Sequence, residues 1–144
     1  MKGSTHIVYG VLTGTLYATT MATADPNIFI ATVALSTLGA LLPDIDSKTS
    51  LITNTLIIPK YLPLKHRGIM HSATLATVVT ALNIPLGLGM YSHILLDLLN
   101  KQKIALFVPF SNKKYGLKLC SADGIVDQAL RVLGTGAIIL ILMM

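Results

Sequence analysis

The sequence predicts an all-α integral membrane protein, a single membrane-embedded domain over residues 1–144 built as a bundle of about five helices, some of them short or re-entrant. Composition predicts it first. The chain is 53% hydrophobic and 12% charged, and its mean hydropathy is +0.71. Apolar side chains at that density suit hydrocarbon better than water. The second observation is the closing run Ala137-Ile138-Ile139-Leu140-Ile141-Leu142-Met143-Met144, which would be hard to keep soluble. The third is punctuation: long apolar stretches break only at short turns and at two polar loops. The competing reading, a soluble helical domain with an over-hydrophobic core, leaves that tail unexplained.

The first helix is expected over about Thr5 to Ala24, with Ser4 or Thr5 as N-cap. Lys2, the apolar run from Ile7 and Ala22-Thr23-Ala24 imitate a secretion signal. The run is rich in Thr and broken by Gly10 and Gly14, however, and cleavage would discard His6. The two glycines instead form a small-xxx-small pair that lets another helix approach closely. Asp25-Pro26-Asn27 is a turn. The second helix is expected from about Ile28 to Leu42, stopped by Pro43. A long loop, Asp44 to about Gly68, follows and carries the apolar Leu56-Ile57-Ile58. The third helix is expected from near Ile69 to Asn83-Ile84-Pro85, and the fourth from Leu86 to Leu99. A helix of fourteen residues rises ~21 Å, short of a ~30 Å hydrocarbon core. These two are therefore expected to form a buried hairpin rather than two full spans. Residues 100–121 read as a second polar loop containing Val108-Pro109-Phe110. A fifth helix, capped by Ser121, runs from about Ala122 to the end.

Charge placement predicts topology. The turns at 25–27 and 83–85 hold no Lys or Arg. The N-terminus carries Lys2, and the long loops carry Lys48, Lys60, Lys65, Arg67, Lys101, Lys103, Lys113, Lys114 and Lys118. The positive-inside rule puts the N-terminus and both loops in the cytoplasm of a multi-pass inner-membrane protein. The net charge of +5 and pI of about 9.5 then reflect loops facing anionic lipid, and no nucleic-acid partner is expected. The single Cys120 excludes an internal disulfide.

All four histidines fall in short polar islands with aspartates nearby, and every acidic residue is Asp. The predicted topology brings His6, Asp44, Asp46, His66, His71, His93, Asp97, Asp123 and Asp127 to one membrane face. His93 and Asp97 stand one helical turn apart, the spacing of two ligands or of a ligand and its supporting carboxylate. An unpaired polar group on so apolar a helix would cost several kcal/mol. His66 and His71 can converge if His66 lies on the loop and His71 in the first turn of the helix. Pro43-Asp44-Ile45-Asp46, read as extended, puts two carboxylates on one side. Arg67 offers a fork suited to phosphate, or anchors the positive-inside loop. His6, Asp44, Asp46, His66, His71, His93 and Asp97 are thus candidate metal ligands. They exceed the about three protein ligands that a single catalytic zinc needs, which suits one or two zinc ions, with manganese as the alternative. No activated Ser, Walker loop or dinucleotide fingerprint is present.

Several motifs together resemble a family: the early His6, Leu-Leu-Pro-Asp-Ile-Asp at 41–46, His-Arg-Gly-Ile-Met-His-Ser at 66–72, Tyr-Ser-His-Ile-Leu-Leu-Asp at 91–97 and Val-Pro-Phe at 108–110. Their order and spacing, over nearly the whole chain, are similar to the YdjM-type bacterial inner-membrane proteins, predicted membrane-bound metal-dependent hydrolases. Met70 stands where that family usually has Thr, and Val108 where Trp is common; neither change removes a ligand. More distantly, the pattern is similar to the all-helical zinc phospholipase C and P1-nuclease type. The resemblance implies a metal-dependent hydrolase at the cytoplasmic face acting on a phosphoester, with a phospholipid as one candidate. Arg67 would hold the phosphate, and Asp44 or Asp46 would act as base. The expected partners are membrane lipid and that substrate. A non-catalytic membrane adaptor, in which a metal or polar cluster staples short helices, is the alternative. A transporter fits less well, because the polar residues gather at one face rather than through the bilayer.

Overall fold

A computed structural model describes residues 1–22, 24–46 and 67–144. Among these, five α-helices carry the fold: α1 (Gly3–Thr20), α2 (Pro26–Leu41), α3 (Ala73–Leu82), α4 (Ile84–Leu99) and α5 (Ile125–Met143). Two 3-10 turns, Leu42–Asp46 and Ile69–His71, precede and follow the long loop. A small antiparallel hairpin pairs β1 (Ile104–Ala105) with β2 (Lys114–Tyr115). The class is all-α, as the composition predicts. The hairpin was not expected; it stands inside the second polar loop.

Local chemistry explains where the helices begin. Asp25 accepts from the Asn27 amide (2.8 Å), Ser72 Oγ from Leu75 (3.1 Å) and Asn83 Oδ1 from Leu86 (3.0 Å). Each satisfies an amide that the first turn leaves without a carbonyl. Pro26 and Pro85 sit within first turns, where a missing N–H costs nothing. α2 and α4 therefore start earlier than expected. α1 instead starts at Gly3 behind Lys2, and α5 at Ile125 behind Gly124, without side-chain caps.

Pro43 also departs from expectation. It does not end the helical path, because α2 runs straight into the 3-10 turn through Asp46. A proline in the first turn of that segment displaces no hydrogen bond. The segment is therefore helical rather than extended, and the alternation that would put Asp44 and Asp46 on one side does not apply.

The helices meet backbone to backbone. α1 packs on α2, α4 and α5, α2 packs on α4, and α3 packs on α4. A Cβ at Gly10 would lie 2.8 Å from Thr37 Cα, and one at Gly14 would lie 2.7 Å from Val33 Cα, so the glycine pair of α1 admits α2 closely. α4 approaches α2 more closely still: a Cβ at Gly89 would stand 1.9 Å from the Ser36 carbonyl oxygen.

Polar and apolar residues are arranged as lipid requires. His6, His71, His93 and Asp97 are buried, whereas Leu82, Leu95, Val132, Leu133 and Leu140 are exposed. The hydroxyls of Thr13, Thr37, Thr77, Thr80 and Thr135 bond to carbonyls one turn back, so they need no water. Among the described residues, two segments are long and apolar enough to cross a membrane, Pro26–Ile45 and Ile125–Met143. At ten residues, α3 rises only about 15 Å.

Candidate metal centre

One end of the bundle gathers polar side chains from four elements. α4 supplies His93 and Asp97, one turn apart, beside the core residues Met90 and Ile94. α1 supplies His6 from its first turns. The 3-10 turn after α2 supplies Asp44, and the one before α3 supplies His71. Asp97 is the hub. Its Oδ1 lies 3.5 Å from His6 Nε2, and its Oδ2 lies 3.6 Å from His71 Nε2 and 3.7 Å from His93 Nε2. Asp44 Oδ1 lies 3.8 Å from His93 Nε2. Among the described residues, two triads have ligand atoms mutually within 4.8 Å, His6–His93–Asp97 and Asp44–His71–His93, and they share His93.

His93 indicates what such a cluster can hold. Its Nδ1 lies 2.7 Å from the Ala40 carbonyl oxygen, and a carbonyl only accepts, so Nδ1 carries the proton. In the neutral ring, Nε2 is then a bare lone pair. It is buried, has no hydrogen-bond partner among the described residues and faces two carboxylates. A second proton would place an imidazolium against the stacked His6 ring, 3.7 Å away and inclined at 14°. A lone pair among carboxylate oxygens is repulsive unless a cation lies between them. The 3.5 to 3.8 Å separations exceed ordinary N–H···O bonds. They match instead the ~3.4 Å edges of a tetrahedron with ~2.1 Å metal–ligand bonds. Donor set and spacing both fit a divalent ion. A backbone carbonyl fixing the far nitrogen of a ligating histidine is the usual support for such a ligand.

Cations flank the cluster. Arg67 Nη2 lies 3.2 Å from Asp97 Oδ2, while its Nη1 donates to the Gln102 carbonyl at 3.0 Å. Arg67 holds a left-handed backbone, φ 59°, which turns it into the site. The Met1 nitrogen lies 2.7 Å from Asp97 Oδ1.

Of the candidate residues read from the sequence, the structure brings together His6, Asp44, His71, His93, Asp97 and Arg67. Asp46 closes its 3-10 turn, but its side chain lies outside the described residues, as does all of His66. Asp123 and Asp127 serve a different end. Asp127 accepts from the amides of Lys2 (3.2 Å) and Asp123 (2.7 Å), and Asp123 pairs with Lys2 Nζ (3.0 Å). With Arg131 donating to Ser4 Oγ at 2.9 Å, they fasten α5 to the start of α1, close to His6. The Ala40 carbonyl was not foreseeable from residue types, since any residue offers one. The direct Arg67–Asp97 contact was foreseeable only as a cation near a carboxylate-rich site.

A family model described as YdjM inner membrane protein matches residues 1–143. No curated protein and no solved structure matches the chain.

Proposed function

The chain belongs to the YdjM inner membrane protein family, and on that premise we propose that it is a metal-dependent hydrolase acting on a phosphoester at the cytoplasmic face. The observation that carries the reading is the bond between His93 Nδ1 and the Ala40 carbonyl, which leaves the neutral ring's Nε2 as an acceptor facing Asp44 and Asp97. His6, His93 and Asp97, with His71, would hold the ion, and imidazole with carboxylate favours zinc, then manganese. Such an ion, when bound, acidifies water and polarises a phosphoryl oxygen. The protein's own groups do the rest. Arg67 presents its guanidinium beside Asp97 and binds the phosphate through paired N–H donors. Asp44, whose side chain is 21% exposed against 1% for Asp97, is the carboxylate that water reaches, and it accepts the proton. Asp97 orients three histidines and Arg67 at once.

Elemental analysis of purified protein tests the first half of this reading. Stoichiometric zinc or manganese is expected, and protein free of metal after preparation without chelator would move the cluster to a purely structural role. Arg67→Ala tests the second half. It should keep its metal while losing roughly 10²-fold in kcat/KM on a phosphoester, the usual effect of removing one donor to developing charge. An Arg67→Ala enzyme as active as wild type would overturn the assignment.

The cytoplasmic orientation has its own test. A cysteine at Asn27 should react with an impermeant thiol reagent in intact cells, and one at Lys113 should not. Cys120 should contribute little background, because it is buried and burial pushes its thiol up. Labelling at Lys113 would reverse the topology.

A further inference from the structure

Besides its contact with Asp97, Arg67 lines a cavity of about 250 Å³ together with Ile69, Ala105, Val108, Asn112 and Lys114. The wall is part of the β1–β2 hairpin, in which Ala105 pairs with Lys114, and the Leu106 carbonyl ties the hairpin to α3 by accepting from Ala73 at 2.8 Å. Two cationic residues, Arg67 and Lys114, and the amide Asn112 are among the lining residues, and none of the described lining residues is acidic. Its preferred occupant is an anion with several acceptor oxygens.

The surroundings identify where that anion comes from. Phe107 and Phe110 stand on the hairpin tip, and Leu117 and Leu119 follow it. Phe110 is 84% exposed, and Leu117 and Leu119 are about two-thirds exposed. Lys113, Lys114 and Lys118 are interleaved with them, all exposed. A hairpin in water gains nothing from an exposed phenyl ring. Aromatic and aliphatic tips alternating with lysines are the composition of a segment seated at the boundary of anionic headgroups and acyl chains. This chain is an inner membrane protein, so that boundary is at hand.

We infer that the cavity between Arg67 and Lys114 is a headgroup subsite for a phosphate-bearing anionic lipid, drawn from the leaflet in which Phe107 and Phe110 seat the hairpin. The inference rests on the phosphoester reading of the metal centre and names its substrate class. Arg67 belongs to both sites: its guanidinium bonds Asp97 and the Gln102 carbonyl, and the residue also lines the cavity. A lipid phosphate held there lies against the cluster while its chains stay in the membrane. Lys114 and Asn112 line the cavity but are not members of the His/Asp cluster, and their part is to hold the headgroup.

Two measurements test the subsite without relying on turnover. The first titrates metal-loaded protein in neutral detergent with dioctanoyl phosphatidic acid, dioctanoyl phosphatidylcholine and inorganic phosphate. Phosphatidic acid should bind at least about tenfold more tightly than the other two. Lys114→Ala, and Lys114→Gln as a second variant, should each lose about tenfold for phosphatidic acid while keeping full metal content. Affinity unchanged by both variants, or inorganic phosphate binding as tightly as the lipid, would overturn the proposal. The latter result would leave a free-phosphate site.

The second measurement exploits a chain without tryptophan. A Phe110→Trp reporter in vesicles of phosphatidylglycerol and phosphatidylcholine should emit at shorter wavelength and be quenched by lipid brominated in its acyl chains. A reporter quenched by iodide in the aqueous phase, and not by brominated lipid, would place the hairpin in water and refute the lipid source. Failure of the hydrolase reading looks different, with phosphatidic acid bound and Lys114-dependent but no phosphoester cleaved. Conversely, cleavage with KM unchanged in Lys114→Ala would remove the subsite and leave the hydrolase.

Discussion

Asp97→Asn should strip the protein of stoichiometric metal while leaving a helical, membrane-inserted chain. Asp97 is 1% exposed and lies within 3.7 Å of nitrogen atoms on His6, Arg67, His71 and His93. The amide has the same shape but carries no charge, and it turns one acceptor into a donor. Changes in groups that merely support ligands commonly cost 10- to 100-fold in metal affinity. Removal of a ligand that also orients three others should cost more, enough to give metal-free protein after dialysis. Stability should fall as well. Neutralising one partner of a buried ion pair typically costs about 3–5 kcal/mol, and here it leaves Arg67 beside an amide. Melting in detergent and metal analysis on one preparation separate the two effects. Chelation of wild-type protein should lower its melting temperature, while chelator should not shift Asp97→Asn further. A variant that keeps stoichiometric metal would end the metal-centre reading. A wild type indifferent to chelator would leave a charge cluster as the only account.

The second large effect is expected far from any ligand. Gly89→Val should destabilise the bundle and empty the centre together. A Cβ at this position would stand 1.9 Å from the Ser36 carbonyl oxygen and 2.8 Å from the Ala40 nitrogen. Both are main-chain atoms, so α4 must move off α2. Overpacking of this kind costs about 1–3 kcal/mol, and more where backbone must shift. The same displacement pulls His93, one turn on, away from the Ala40 carbonyl that fixes its tautomer at 2.7 Å. Metal affinity should therefore drop by roughly 10- to 100-fold. Gly136→Ala is the matched control, because nothing lies within 4 Å of its Cβ position. Alanine there should be neutral, or stabilising by up to about 1 kcal/mol through helix propensity. If Gly89→Val and Gly136→Ala melted and bound metal alike, the seam between α2 and α4 would not be what positions His93.

These two variants also show which features the sequence makes legible. His93 and Asp97 could be paired by helical spacing, and Gly10 and Gly14 marked a close helix contact, because residue identity and period carry that information. Convergence of His6, Asp44 and His71 followed from topology alone: each adjoins a helix end on the predicted cytoplasmic side. Other features had no such signal. The strands Ile104–Ala105 and Lys114–Tyr115 are two residues each and too short to show a period. Pro43 read as a stop, yet a proline is harmless in the first turn of a 3-10 segment, so the carboxylate pair was placed on a strand that is not there. The partner of His93 is a main-chain carbonyl, brought into reach by glycines four residues from the histidine and one from the carbonyl. Only packing in three dimensions could reveal it.

The short α3–α4 hairpin has a mechanical consequence. α3 rises about 15 Å, whereas the twenty residues of Pro26–Ile45 rise about 30 Å. The hairpin tip exposes Leu82 (83%) and Ile84, side chains that shun water. If the tip stays in hydrocarbon, the protein is thick on one flank and thin on the other, a wedge rather than a cylinder. A bilayer that meets unequal flanks must thin, tilt the protein or bend, at a cost of fractions of a kcal/mol per ångström. His93 and Asp97 lie on α4, the second helix of that hairpin, so a bilayer that strained the hairpin would bear directly on the helix that carries the centre.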